Sequence, residues 1–416
     1  MSLLKYIDRK NTDSVKWDAL EGNYSRGDLL PMWVADMDFQ VPECVSAGLK
    51  KYIGYGAFGY YYPPAAYYDA FINWEKKYHG YEVQREWMRF APGVVPAFHW
   101  LVSMLAGEGE SVAVMTPVYY PFFKAVNNNG RRLVECPLKL TDSGYIMDFE
   151  AFEETITRED VKAFIFCSPH NPVGRVWKKD EIRRMLDVCK KHHVFVISDE
   201  IHHDIIMSGH EHVPAATAGD EPGAYDDMLI TLTAATKTFN LASLQNSIVI
   251  IPDAELRRRW DDFTKRISII GGNAFGYVAV RSAYEGGRPW LEELLEVIEG
   301  NYRYMRERLE AELPDVRVSD LEGTYLMWVD LSAYMNAIME KKGACAEVAE
   351  QSEAGSGSAL GPADAMQHLM EDECGIAVDY GAWFGGDEYA GCIRLNLATC
   401  RENVELAADR IIAALK

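Results

Sequence analysis

Four polar residues stand in or just past apolar runs of this 416-residue chain, and together they could do covalent and acid–base chemistry on a small molecule. They are Asn171 in Ser-Pro-His-Asn-Pro-Val-Gly-Arg (168–175), Asp199 in Ser-Asp-Glu-Ile-His-His-Asp (198–204), Lys237 in Thr-Ala-Ala-Thr-Lys-Thr-Phe-Asn (233–240) and Arg394 in Cys-Ile-Arg-Leu-Asn-Leu-Ala (392–398). A lysine amine can form an imine with a carbonyl, a carboxylate can hold a cation, and an amide can donate to an oxyanion. A guanidinium inside an apolar strand is costly unless an anion pairs with it. A substrate carboxylate held by two parallel hydrogen bonds is its natural partner, and an internal salt bridge is the alternative. Taken singly, Lys237 could equally be a solvated lysine and Asp199 a helix cap.

The elements around these residues explain their placing. Apolar runs at 111–115, 161–167, 194–198, 228–232 and 247–251 alternate with amphipathic stretches, and Ile182, Met185, Leu186 and Cys189 fall at helical spacing. Runs apolar on both faces suit strands covered by helices on each side, so the class is α/β with a mainly parallel central sheet. Ligands of such sheets collect beyond the carboxyl ends of the strands, where Asn171, Asp199, Lys237 and the Thr-Pro-Val-Tyr-Tyr-Pro segment with Tyr119 lie. A long helical pattern from Trp290 to Leu313 leads to strand-like 325–331, 375–380 and 393–397 and a final helix from Glu402, a smaller α+β domain. The expected organisation is an N-terminal segment, 1–50, belonging to the small domain, a large domain over 51–288, and a connecting helix with the small domain over 289–416. The small, acidic stretch from Gly343 to Pro362 reads as an insertion in a surface loop.

Asn171, Asp199, Lys237 and Arg394, in that order, resemble the signature of the fold-type I aminotransferase superfamily (class I/II) of pyridoxal-5′-phosphate enzymes, and the resemblance runs over nearly the whole chain. It implies a large domain with a mostly parallel sheet flanked by helices, a smaller C-terminal α+β domain, and pyridoxal 5′-phosphate as cofactor. Lys237 would hold the cofactor as an imine, Asp199 would keep the ring nitrogen protonated, and Asn171 would donate to the ring oxygen and face the substrate. Tyr119 would stack on the ring. The backbone at Gly93, Val94 and Val95, at a helix start, with the hydroxyls of Thr236 and Thr233, would receive the phosphate. Arg394 would bind the substrate α-carboxylate.

Three features are similar to the cystathionine β-lyase, or cysteine C–S lyase, branch. Leu-Pro-Met-Trp-Val-Ala-Asp-Met-Asp-Phe (30–39), with Ala35, resembles the segment that closes over the substrate. His202 follows Asp199-Glu-Ile where plain aminotransferases usually carry tyrosine, and it is expected near the ring. Lys237-Thr-Phe-Asn-Leu-Ala-Ser-Leu-Gln245 has glutamine where those enzymes place a phosphate-binding arginine, and Ala234 where they place serine. The missing charge points to help from a second subunit: Gly59-Tyr60-Tyr61 resembles a loop whose tyrosine crosses a dimer interface to the phosphate, with Tyr60 preferred over Tyr61. Gly271–Gly276 resembles another interface loop. The implied reaction cleaves cystathionine or a related cysteine S-conjugate to a thiol, pyruvate and ammonia, with Lys237 moving the α-proton and Lys237 or Tyr60 protonating the leaving sulfur. An aminotransferase would use the same residues, and a non-catalytic or regulatory relative is the third reading.

Composition narrows the partners. A formal charge of −21 opposes nucleic acid and makes a small molecule the expected partner; the resemblance implies that it is an amino-acid substrate and that the protein is a homodimer with a shared site. There is no run of eighteen apolar residues and no signal-like start, and the eight cysteines are scattered without a Cys-x-x-Cys pair, which reads as a cytoplasmic protein away from membranes. No Gly-x-Gly-x-x-Gly stretch follows an apolar strand-like run, so no dinucleotide loop is expected. The histidine pairs 192–193 and 202–203, with His210 and His212, lack accompanying cysteine or carboxylate spacing, so no metal site is expected.

Overall fold

A computed structural model describes residues 2–269, 271–340 and 361–416. Its large sheet takes β1 (Met88–Ala91), β2 (Ser111–Val114), β3 (Arg132–Glu135), β4 (Val161–Cys167), β5 (Phe195–Asp199), β6 (Leu229–Thr233) and β7 (Ser247–Ile250) in the order β1-β7-β6-β5-β4-β2-β3. Neighbours from β6 through β5, β4 and β2 to β3 are parallel. β7 runs antiparallel to both β6 and β1, so the sheet is mixed at that edge. The cause is local: parallel pairing needs a long crossover, and the chain between β6 and β7 forms only short helical turns before returning.

Each central strand is buried on both faces, and its alternation shows where each side chain goes. Val112, Val114, Ala163, Ile165 and Ile197 pack with Phe98 and Leu101 of helix α1 (Val94–Leu105). Ala113, Phe164, Phe166 and Val196 face the other way, against Ile182, Met185, Leu186 and Cys189 of α2 (Lys179–Lys191). The period of two on the strands and the 3.6-residue stripe on α2 thus produce a three-layer stack. The helix expected over 290–313 is α3 (Arg288–Glu312).

Beyond it β8 (Arg317–Val318), β9 (Leu326–Asp330), β10 (Asp379–Tyr380) and β11 (Cys392–Asn396) form a four-stranded antiparallel sheet in the order β8-β9-β11-β10, backed by α4 (Arg401–Leu415). The N-terminal segment joins the same region, since Leu30–Pro31 pairs in parallel with Ile376–Ala377. The Gly343–Pro362 stretch lies, except for its last two residues, outside the described residues. None of the described helices is long and apolar enough to cross a membrane.

Candidate active site

The parallel strands deliver their following residues to one cavity of about 170 Å³, lined among others by Ala35, Val94, Val95, Tyr119, Asn171, Asp199, His202, Thr236 and Lys237. That is room for an aromatic ring, given that a cavity of about 150 Å³ holds benzene. At its centre the Lys237 ammonium donates to the Ala35 carbonyl at 2.5 Å, and Tyr325 Oη donates to the same oxygen at 2.9 Å. Burial pulls the lysine down to about 8, against the pull of Asp36 the other way. A lysine so shifted holds a substantial neutral fraction near pH 8, as a nucleophile or base requires.

Asp199 is the converse. It is buried, the one described hydrogen bond to its carboxyl comes from the Ile201 amide at 3.2 Å, and burial raises that carboxyl to about 7. A buried carboxylate so poorly served calls for a cation. His202 is held neutral by burial and by the Lys237 and Arg394 charges, and its Nδ1 has no partner.

The far end of the cavity suits an anion. No side chain caps α1, so its Val94 and Val95 amides are free to face one, and the Thr236 hydroxyl lines the same space. Ser247, at the start of β7 opposite Ala91 of β1, also lines it, with a buried hydroxyl that has no partner. Sequence reading passed Ser247 over because its closeness to Gly93 depends on the antiparallel return of β7. Thr233 does not share in this end: its hydroxyl meets His203 Nδ1 at 2.9 Å, behind the cavity. Gln245 is exposed, and the lining contains no arginine.

Arg394, on β11, is buried and donates to Asn171 Oδ1 at 2.9 Å. Its other branch forms an ion pair with buried Asp379, so the internal salt bridge held open as the alternative is present. Asp379 carries no sequence signal of its own, because the pairing arises only from strand register. Tyr60 is fully exposed and touches none of these groups, whereas Tyr61 stacks on Tyr277 with ring centroids 5.8 Å apart.

A second buried polar cluster backs the site. His203 Nδ1 is 2.7 Å from the Glu200 carbonyl and its Nε2 is 3.1 Å from Glu75. Burial alone would depress this imidazole, but Asp204 and Glu75 overcome that and raise it to about 10. Asp204 accepts from Trp74 and Thr238 and meets His79, each at 2.8 Å. Ligand atoms of Glu75, His79 and His203 lie within 4.8 Å of one another, a carboxylate–histidine meeting that the sequence spacing did not suggest. Thr238 ties the cluster to the turn that carries Lys237.

The family model for aminotransferase class I and II matches residues 36–411. The chain belongs to that family. Among curated members, it is 40% identical over 334 residues to cystathionine β-lyase PatB of Bacillus subtilis, covering 80% of this chain and 86% of that one. Cystalysin from Treponema denticola, whose crystal structure contains a pyridoxal 5′-phosphate cofactor, superposes with a TM-score of 0.88 at 34% identity, over 100% of this chain and 98% of that one. The pyridoxal-phosphate-bound C–S lyase of Staphylococcus hominis gives 0.86 at 32% identity, over 99% and 97%. The fold is the type I aminotransferase fold, and pyridoxal 5′-phosphate is the family's cofactor. The residues of this cavity suit that cofactor: a depressed lysine, a buried carboxylate lacking a cation, and an anion pocket with an unpartnered hydroxyl.

Proposed function

We propose that this family member is a pyridoxal-phosphate-dependent C–S β-lyase that converts cystathionine or a related cysteine S-conjugate, with water, into a thiol, pyruvate and ammonia. The observation that carries it is the meeting of Lys237, Asp199 and Asn171 in one cavity, on a chain 40% identical to a cystathionine β-lyase. Lys237 would anchor the cofactor, Asp199 and Asn171 would hold its ring nitrogen and ring oxygen, Tyr119 and His202 would flank the ring, and Val94, Val95, Thr236 and Ser247 would hold its phosphate. When bound, the cofactor supplies an electron sink for the substrate's α-carbon.

The chain's own groups do the rest. Arg394 and Asn171 orient the substrate carboxylate, and the Ala35 segment covers the cavity. The Lys237 amine, kept near 8 by burial, takes the α-proton. The same amine, or Tyr60 from a second copy of the chain, protonates the departing sulfur. Full exposure of Tyr60, beside exposed Tyr55, Phe58 and Tyr62, supports a homodimer in which this aromatic face is covered and Tyr60 supplies the phosphate contact that Gln245 does not. The seven described cysteines are unbridged, which supports a cytoplasmic setting.

Incubation with cystathionine and no keto-acid acceptor tests the reaction. Sustained multiple-turnover pyruvate is the expected result. A single turnover that then stalls identifies an aminotransferase instead.

A further inference from the structure

Arg394 and Asp379 face each other across the antiparallel β10–β11 pair, in direct register. Directly opposed side chains share one face of a sheet with their Cβ atoms about 5 Å apart, so the ion pair follows from the register. The guanidinium is fully engaged on its outer branches: Nη1 donates to Asn171, Nη2 binds Asp379 and approaches the Trp33 carbonyl at 3.4 Å, and its Cζ lies 5.0 Å from the Phe384 ring centre. Two polar atoms of the pair are nonetheless buried without partners, a donor, Arg394 Nε, and an acceptor, Asp379 Oδ1. Buried atoms of that kind mark a place where something else belongs.

We propose that Asp379 is the internal counter-ion of Arg394, which a substrate carboxylate displaces while the Asp379 carboxyl takes up one proton from solvent. This rests on Arg394 being the carboxylate site. Two carboxylates on one buried guanidinium would leave an uncompensated negative charge, which is costly at such depth. A proton on Asp379 removes that charge and turns the unpartnered oxygen into a donor for the incoming carboxylate. The cations near Asp379 are Arg394 and Lys237, and the phenols of Tyr24, Tyr119, Tyr120 and Tyr380 lie in its field. Burial pushes the Asp379 carboxyl up, against the opposing effect of those two cations, so its protonation is within reach. Its negative charge also favours the Lys237 ammonium. Between substrates, Asp379 keeps a buried guanidinium from standing alone.

The probe is propionate, a carboxylate without an amine, as a competitive inhibitor of the holoenzyme across pH. One proton taken up per carboxylate bound makes its inhibition constant rise about tenfold per pH unit wherever Asp379 is ionised in the free enzyme. Asp379→Asn should flatten that slope and lower KM for cystathionine several-fold at alkaline pH, with the gain in KM and not in kcat. A flat wild-type profile overturns the proposal without any variant. So does an Asp379→Asn enzyme that keeps the wild-type slope or has a raised KM. Arg394→Ala separates the two readings: weaker propionate binding keeps the carboxylate site and leaves Asp379 to be judged on its slope, whereas unchanged binding removes the carboxylate site itself.

Discussion

Asp199 and Asp204 leave the same strand end and are both buried, yet their carboxyls move in opposite directions. Asp199 rises to about 7 because burial is answered only by one backbone amide and the charge of Lys237. Asp204 falls well below the carboxylate range, since His203, His79 and Trp74 outweigh its burial. The two regions they belong to differ in the same way. Behind the cavity, Glu75 meets His203, Asp204 meets His79, and the Glu200 carboxylate is met by Ser198 and His212. Inside it, Asp199 is underserved and His202 Nδ1 and Ser247 Oγ have no partner, and Arg394 Nε, behind the lining residue Asn171, has none either. Satisfied buried polar groups hold the fold, and the unsatisfied ones inside the cavity stand where a ligand would meet them, costing stability until it comes.

The largest break in this comparison should come at Asp199. Asp199→Asn is expected to lower lyase turnover by roughly 10²–10³-fold, as loss of one preorganised charge does. The cofactor-free protein should melt no lower than wild type, because the variant discards a carboxylate that had little to bind. Turnover measured beside calorimetry decides it, and a cofactor-free variant that melts well below wild type would erase the distinction between the regions.

Asp204→Asn should behave in the opposite sense. Breaking a buried charge cluster by removing one partner costs about 3 kcal/mol. Denaturant unfolding of the cofactor-free protein should show that loss, while the absorbance of bound cofactor at saturation persists.

The smallest effect sharpens the contrast through pH. Asp199 titrates at about 7 in the fold against an ordinary 3.8, so the stability tied to its neutral form is complete below about 4 and lost as pH rises through 7. A cationic ring nitrogen beside Asp199 would remove that loss. The melting-temperature gap between cofactor-loaded and cofactor-free protein should therefore widen by a few degrees from pH 5 to pH 8. A gap that narrows over this range would assign the ring nitrogen to another group.

Much of the chemistry was legible in the residues because it is local to strand ends. Runs apolar on both faces announced β4, β5 and β6; Asn171 and Lys237 follow β4 and β6 within a few residues, and Asp199 ends β5. Once those strands are parallel neighbours, their carboxyl ends can only converge. Order along the chain, the helical stripe of α2 and the glycine-led start of α1 were likewise local patterns that a sequence displays.

What needed the tertiary structure was every pairing between distant segments. Asp379 beside Arg394 comes from strand register, Ser247 beside Gly93 from the antiparallel return of β7, and Glu75 beside His203 from a helix end packed under the sheet. Thr233, whose hydroxyl turned from the expected phosphate toward His203, shows the same limit, because alternation gives two faces without saying what waits on each. Sequence by itself thus determined which groups arrive at the cavity, since that depends on period and position. The tertiary structure alone decided which buried charges meet a partner and which are left for a ligand, since that depends on atoms brought together from far along the chain.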